Sequence, residues 1–448
     1  MNQLLNNHRY CALFCLGCIS ALGMAPVYAW PLMFVGYIVL MFFLVKSGGN
    51  KKPALCAFLF FFGYYLTSFY WVSSSLFIDL NQWWWALPLS FIGLPLLLSL
   101  FPVFFTYLAS FSPKYKWACY TTALIAADWA RGTLFTGFPW NFPAHTWVHT
   151  DTVMALLPYI GLYGLNAVTI TLFFLPALLS KWVKITFFVA AVVSITLIPI
   201  NKVNVEFPLG NNITLVQANI SQGEKWDPQY MWRNFDRYLS MSQSLNKRTD
   251  AQIIIWPETA LSEQFLSYPE PKAEFLKFLK ELPINSILIS GYLNHENGHP
   301  INSLVAFNTR GDIIARYNKH HLVPFGEYMP FGLETVTGFS NFKNGIKPEP
   351  ITISHIGLTF LPLICYEIIF PQYSQAAKNA DFILNITNDA WFGKTAGPYQ
   401  HFDHAIIRAI ENKKAVIRIS GNGISAIINP HGDVMSSSLL NKQSTIIY

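Results

Sequence analysis

Leu361-Pro362-Leu363-Ile364-Cys365-Tyr366-Glu367 ends an apolar, strand-like run on a thiol followed two residues later by an acid. The other cysteines, Cys11, Cys15, Cys18, Cys56 and Cys119, all lie in the apolar N-terminal sequence, so Cys365 has no disulfide partner in its own part of the chain. Two readings are open for it: a small buried apolar side chain, or a nucleophile.

Outward from this run, the sequence after residue 200 alternates strand-like and helix-like stretches. Strands are expected at 213–219, 253–256, 286–291, 304–308, 313–317, 358–364, 382–386 and 415–420, and helices at 228–245, 271–282 and 401–414. Asn429-Pro430-His431-Gly432-Asp433 reads as the turn between the last pair of strands. The alternation predicts a layered α/β domain. Such domains place chemistry just beyond strand ends, and two more ionisable residues stand there. Glu258 follows Ile253-Ile254-Ile255-Trp256-Pro257, and Lys319 follows Ile313-Ile314-Ala315-Arg316-Tyr317-Asn318. Singly, Glu258 reads as an acid in the first turn of a helix and Lys319 as a solvated lysine. With Cys365 they supply a base, a cation and a nucleophile, the set that thiol acyl transfer requires.

The N-terminal part has another composition. The 448 residues are 52% hydrophobic and only 12% charged, far below the quarter charged that is usual for soluble domains. The apolar runs are concentrated before residue 200 and have lengths suited to a bilayer. Spans are expected at 10–25, 27–45, 54–72, 84–108, 117–135, 153–179 and 185–200. The domain organisation is thus a transmembrane region over 1–200 and a globular domain over 201–448. With a cytoplasmic N-terminus, the inner segments carry Arg9, Lys46, Lys51, Lys52, Lys114, Lys116, Lys181 and Lys184, and the outer segments carry Arg131. The positive-inside rule then puts the globular domain in the oxidising periplasm of a bacterium. Asp128 and Arg131, three residues apart near the end of the fifth span, read as an ion pair or as a headgroup contact.

Trp256-Pro257-Glu258-Thr259, the block from Tyr317 through Lys319 to Glu327 and Tyr328, and Cys365-Tyr366-Glu367 resemble the three catalytic blocks of the nitrilase, or carbon–nitrogen hydrolase, superfamily. Asn388-Asp389-Ala390-Trp391-Phe392-Gly393 and the multi-span N-terminus narrow the resemblance to the membrane-embedded acyltransferase branch. It covers essentially the whole chain. It implies an αββα sandwich joined to a polytopic helical region, with a Glu258–Lys319–Cys365 triad. It further implies that a phospholipid, usually through the sn-1 chain of phosphatidylethanolamine, acylates the cysteine as a thioester. The chain then passes to the α-amino group of the lipidated N-terminal cysteine of a diacylated apolipoprotein. The phospholipid is the donor, no metal or diffusible cofactor is implied, and a monomer in the bacterial inner membrane is expected. Branch members usually end on a further span, whereas this sequence ends on Ser444-Thr445-Ile446-Ile447-Tyr448.

By residue type, Glu258 is expected to take the thiol proton and Lys319 to offset charge growing on the carbonyl oxygen, with the backbone N–H of Tyr366 or its neighbour as a second donor. The resemblance implies that Glu327 and Glu367 support the triad, Glu327 by fixing Lys319; for Glu367 a binding or gating role stays open. Asn302 and Tyr366 are further candidates to orient the oxyanion or line the site. Aromatic residues in loops, among them Trp226, Phe325, Phe331, Phe339, Phe342, Trp391 and Phe392, are candidate substrate or lid residues at the membrane interface.

Other classes fit less well. His401-Phe402-Asp403-His404 has helical spacing but no third ligand, so a helix surface is preferred to a metal site. The net charge of +6 is explained largely by cytoplasmic lysines, and neither a phosphate-binding glycine loop nor a nucleic-acid module is evident. The alternative enzyme is a membrane-tethered amidase or nitrile hydrolase that uses the same triad but lets water resolve the intermediate. A transporter or receptor with a degenerate sensor domain leaves the triad unexplained.

Overall fold

Apolar runs with few charges satisfy their backbone polar groups most simply as helices, and the N-terminal part is largely helical. The computed structural model describes residues 2–112, 114–178, 186, 188–190, 193–194, 212–225, 227–243, 250–332 and 341–448. The chain divides into two units, one of Met1–Asn201 with Thr395–Asp403 and one of Lys202–Lys394 with His404–Tyr448.

The first unit contains α1 (Asn2–Ser20), α2 (Trp30–Lys46), α3 (Lys51–Phe69), α4 (Leu94–Ala109), α5 (Lys116–Thr133) and α6 (Leu157–Phe174). Gly17 and Gly63 let α1 and α3 touch. A β-carbon at Gly17 would lie 2.0 Å from Phe60 O, and one at Gly63 2.3 Å from Phe14 O, which is the small-residue contact of membrane helix pairs. Among the described residues, three helical segments, Lys51–Phe77, Leu89–Ala109 and Leu157–Phe174, are long and apolar enough to cross a membrane by length and composition, and His8–Gly23 and Trp30–Lys46 are shorter apolar helices. The expected 153–179 span is not one helix. Asp151–Met154 forms a separate turn, and Gly161, at φ 66° and ψ 175°, breaks the helical path near the start of α6. The expected 185–200 span lies outside the described residues except at 186, 188–190 and 193–194.

Two polar clusters organise this unit. Arg131 is buried and pairs with Asp128 at 3.2 Å, while its Nη1 donates to the carbonyls of Phe138 at 2.9 Å and Trp140 at 2.8 Å. The pair therefore pins the turn after α5. Asn166 Nδ2 donates to Asp128 Oδ2 at 2.9 Å and completes the cluster. The segment Thr395–Asp403 joins the unit through Gln400, whose Oε1 accepts from Trp71 Nε1 at 2.9 Å, Trp140 Nε1 at 3.1 Å and Asn141 Nδ2 at 3.0 Å. A linear division at residue 200 leaves this segment on the other side.

The second unit is built on two sheets. Its strands are β1 (Ile213–Gln217), β2 (Ile253–Ile255), β3 (Leu261–Ser262), β4 (Ile287–Glu296), β5 (His299–Asn308), β6 (Ile313–Asn318), β7 (Ile351–Ile353), β8 (Leu358–Ile364), β9 (Phe382–Thr387), β10 (Ala415–Ser420), β11 (Ala426–Ile428), β12 (Val434–Ser437) and β13 (Ser444–Ile447). One sheet runs β13-β1-β2-β4-β5-β6 with β3 also on β4, and the other runs β12-β11-β10-β9-β8-β7. Neighbours β1, β2 and β4 are parallel, as are β8, β9 and β10.

Parallel central strands are buried on both faces and read as continuous apolar runs. Accordingly Leu215, Ile255, Ile289, Phe360, Leu384 and Ile417 meet in one core between the sheets. A second core, with Ile254, Trp256 and Leu288, lies on the other face of the first sheet. There α7 (Pro228–Gln243) contributes Phe235 and Tyr238, and α8 (Pro269–Glu281) contributes Phe275 and Phe278. The Asn429–Asp433 turn joins β11 to β12, but these are not the last strands. The C-terminal residues form β13, antiparallel to β1 with Thr214 opposite Ile447.

Candidate active site

Three strand ends meet in the second unit. Glu258 leaves the end of β2 through Trp256, whose buried indole stacks on Tyr238 at 5.0 Å and donates to Ser242 Oγ at 3.0 Å. The following turn approaches β4 closely. A β-carbon at Gly291 would lie 2.3 Å from Thr259 N and 2.5 Å from Glu258 Cα, so only glycine fits this spot. Lys319 continues β6, and its N–H donates to Asn302 O at 2.8 Å. Cys365 follows β8 of the other sheet and turns the chain sharply at φ 51°, in the left-handed region. Asn385 Nδ2 steadies that turn by donating to Leu363 O at 3.0 Å.

Glu258, Lys319 and Cys365 are all buried. Lys319 Nζ lies 2.8 Å from Glu327 Oε1 and 3.7 Å from Glu258 Oε1. Asn302 sits between the two acids: its Nδ2 donates to Glu258 Oε1 at 2.7 Å and to Glu327 Oε1 at 3.1 Å, and its buried Oδ1 has no hydrogen-bond partner among the described residues. Glu327 Oε2 in turn accepts from Val323 N at 2.9 Å.

Glu367 is fully buried beneath the cysteine turn and joins it to the lysine loop. One oxygen accepts from Ile364 N at 2.8 Å; the other accepts from Tyr317 OH at 2.7 Å, His320 N at 2.8 Å and His321 N at 3.0 Å. His321 is stacked on Phe370 at 4.0 Å, and its Nδ1 lies 2.9 Å from Tyr373 OH. Both histidines of the lysine block thus shape the loop. Behind the thiol, Thr387 Oγ1 donates to Asp389 Oδ1 at 3.2 Å, and Asp389 is paired with the buried Arg418 at 2.8 Å.

The electrostatics follow from burial and charge. Burial pushes the Cys365 thiol up to about 12; Glu258 and Asp389 add to the rise, while Lys319 and Thr387 oppose it. Burial works against the Lys319 charge, but Glu327, Glu258 and Cys365 outweigh it and hold the ammonium above the ordinary lysine range. At neutral pH the site therefore contains a thiol, not a thiolate, beside a fixed positive charge.

Of the other expected site residues, Tyr366 is buried on the cysteine turn. Trp391 is exposed on the turn Asp389–Phe392, and Phe325 is exposed at φ 63°. Phe342 is half-buried and tied down, its N–H donating to Glu327 O at 2.8 Å. Trp226, Phe339 and the side chain of Phe331 lie outside the described residues. Among the described residues no group of three His, Cys, Asp or Glu side chains is placed to hold a metal.

Sequence reasoning missed Lys225. It ends the short helix Gln222–Lys225, and its Nζ donates to the main-chain carbonyl of Glu258 at 2.9 Å. In sequence it reads as a solvated lysine beside Glu224, with nothing to distinguish it.

The fold is that of a carbon–nitrogen hydrolase, and residues 212–448 match the carbon-nitrogen hydrolase family. Residues 16–175 match the apolipoprotein N-acyltransferase N-terminal domain. The chain belongs to the apolipoprotein N-acyltransferase family. It is 32% identical to the apolipoprotein N-acyltransferase of Rickettsia typhi, over 96% of this chain and 89% of that one. It is 33% identical to that of Brucella suis, over 84% of this chain and 75% of its relative. Among solved structures, Nit3 of Saccharomyces cerevisiae, a nitrilase-superfamily member, is 20% identical with a TM-score of 0.39, covering 53% of this chain and 88% of its own.

Proposed function

We propose that this chain is a membrane-embedded N-acyltransferase that moves an acyl chain from a phospholipid, through a thioester on Cys365, to the α-amino group of the lipidated N-terminal cysteine of an apolipoprotein. The convergence of Glu258, Lys319 and Cys365, in a chain of this family, carries the reading.

The chemistry balances on these residues. Cys365 Sγ attacks the ester carbonyl as Glu258 takes the thiol proton, since a thiol held near 12 needs a base in place. Lys319, kept charged by its two acids, and the Tyr366 N–H on the cysteine turn receive the developing oxyanion. The C–O bond breaks, and Glu258 returns the proton to the departing lysophospholipid alkoxide. In the second half the neutral α-amine attacks the thioester carbonyl. The C–N bond forms, the C–S bond breaks, and Glu258 passes the amine proton back to the sulfur. Glu327 and Asn302 hold Lys319 and Glu258 at their stations, and Glu367 holds the cysteine turn.

The helical unit is the membrane anchor in this reading. On α4 the exposed residues include Leu97, Leu100, Phe104 and Leu108, an apolar stripe at helical spacing that suits contact with acyl chains. With the N-terminus on the cytoplasmic side of the bacterial inner membrane, the catalytic unit works as a monomer in the periplasm on phosphatidylethanolamine and its sn-1 chain. Trp226, Phe339, Phe342 and Trp391 are substrate or lid residues here.

The test is the intact mass of detergent-purified protein after incubation with phosphatidylethanolamine, beside Cys365→Ala, and then after addition of a diacylated lipopeptide with a free amine. An acyl-sized increase that is absent in the mutant and discharges onto the lipopeptide is expected. Acyl loss to water alone would mark a hydrolase.

A further inference from the structure

Glu258 sits in a crowded electrostatic setting. Lys319 and, across Asn302, Glu327 face it from β6 and the loop after it, Cys365 faces it from the end of β8, and Lys225 approaches from the helix after β1. Lys225 serves neither the oxyanion nor the nucleophile in the mechanism above. It is nevertheless tied to this place from several sides. Its ammonium donates to Glu258 O at 2.9 Å, the same carbonyl that accepts from Thr259 Oγ1 at 2.8 Å. Thr259 itself is left-handed at φ 51°, a conformation that a threonine adopts only when its surroundings enforce it. The helix that carries Lys225 is anchored in turn, since Gln222 Oε1 accepts from Asn388 Nδ2 at 2.8 Å.

We propose that Lys225 is a positioning residue for the general base: it clamps the main-chain carbonyl of Glu258 and places a second cation beside the Glu258 carboxylate and the Cys365 thiol. This rests on Glu258 being the base of the proposed reaction. With only Lys319 near it, the carboxylate would share a single cation with Glu327, which lies closer to that cation. Lys225 brings Glu258 a second positive charge, held at that residue's own main-chain carbonyl.

The role has a pH signature. Burial lowers Lys225 to about 8, against the pull of Glu258 and Cys365. Its charge is therefore present below that pH and lost above it. The readout is alkylation of Cys365 in the full-length protein by iodoacetamide, followed by peptide mass between pH 6 and 9.5. This probe needs no lipid, so the outcome does not depend on the identity of the acyl donor.

Lys225→Met is expected to slow alkylation on the order of tenfold below pH 8 and to converge on wild type above it, while Lys225→Arg follows wild type throughout. Lys225→Gln, a neutral residue that keeps a donor, gives the same comparison if the methionine variant does not fold. Profiles that superimpose on wild type overturn the proposal. So does a loss by the same factor at every pH accompanied by a lower melting temperature, which is what a purely structural lysine would give. Acylation of wild-type protein by phosphatidylethanolamine, measured in parallel, judges the functional reading separately.

Discussion

Lys319 Nζ lies nearly an ångström closer to Glu327 than to Glu258. In the proposed reaction the cation is thereby held by the acid that does not carry the proton, and Glu258, the proposed base, keeps its freedom to do so. Removing one partner of a buried ion pair costs about 3–5 kcal/mol where burial is complete; Glu327 retains 12% side-chain exposure, so the loss should be smaller. Glu327→Ala is expected to lower the melting temperature and abolish thioester formation. Glu327→Gln should keep the fold and lose most of the rate, read by intact mass over time.

Lys319→Met should preserve side-chain volume and donor affinity while removing the charge proposed to meet the oxyanion. A fall in the acylation rate on the order of 10²–10³ is expected, with little change in the lipid concentration for half-maximal rate. A change confined to that concentration would assign Lys319 to binding.

Glu258→Gln separates base catalysis from hydrogen bonding. Because the thiol is held near 12, very little thiolate exists at neutral pH, and loss of the base should cost on the order of 10²–10⁴ in acylation at pH 7. Raising the pH should recover part of that rate in the variant, as hydroxide takes over deprotonation.

Gly291→Ala tests the glutamate turn without touching an ionisable group. The added methyl would meet main-chain atoms at 2.3–2.5 Å, so the turn must move. Acylation is expected to fail while circular dichroism stays near wild type.

His321 gives a pH dependence of stability. Burial, with Lys319 and His320 nearby, lowers it to about 4, against about 6.5 in the unfolded chain. A depressed pKa means that the unfolded state binds the proton more readily. The contribution is complete above about 6.5 and is lost as pH falls toward 4. Thermal stability should decline across that window, and His321→Phe should flatten the decline.

Much of the site could be read from the sequence because strands deliver their chemistry at predictable places. The continuous apolar runs before Glu258 and Cys365 correspond to β2 and β8, and Lys319 follows β6. What escaped depends on distance in sequence or on very short elements. Lys225 acts on a carbonyl that only the folded turn presents. Asn302 is a candidate from the sequence, but its bridging of two acids is not legible there, because it depends on the register of β5 against β4 and β6. The break in α6 comes from one glycine, which hydropathy does not register. Strands β3 and β7 are two or three residues long and carry too little periodicity to be noticed.

The pairing of β13 with β1 sets an order of events during synthesis. The first strand of the catalytic unit leaves the ribosome long before its antiparallel neighbour exists, and loop closure across almost the whole unit must precede the contact. One edge of the sheet stays open to foreign strands while the strands between β1 and β13 are made. β13, which seals it, follows every other strand of that sheet out of the ribosome.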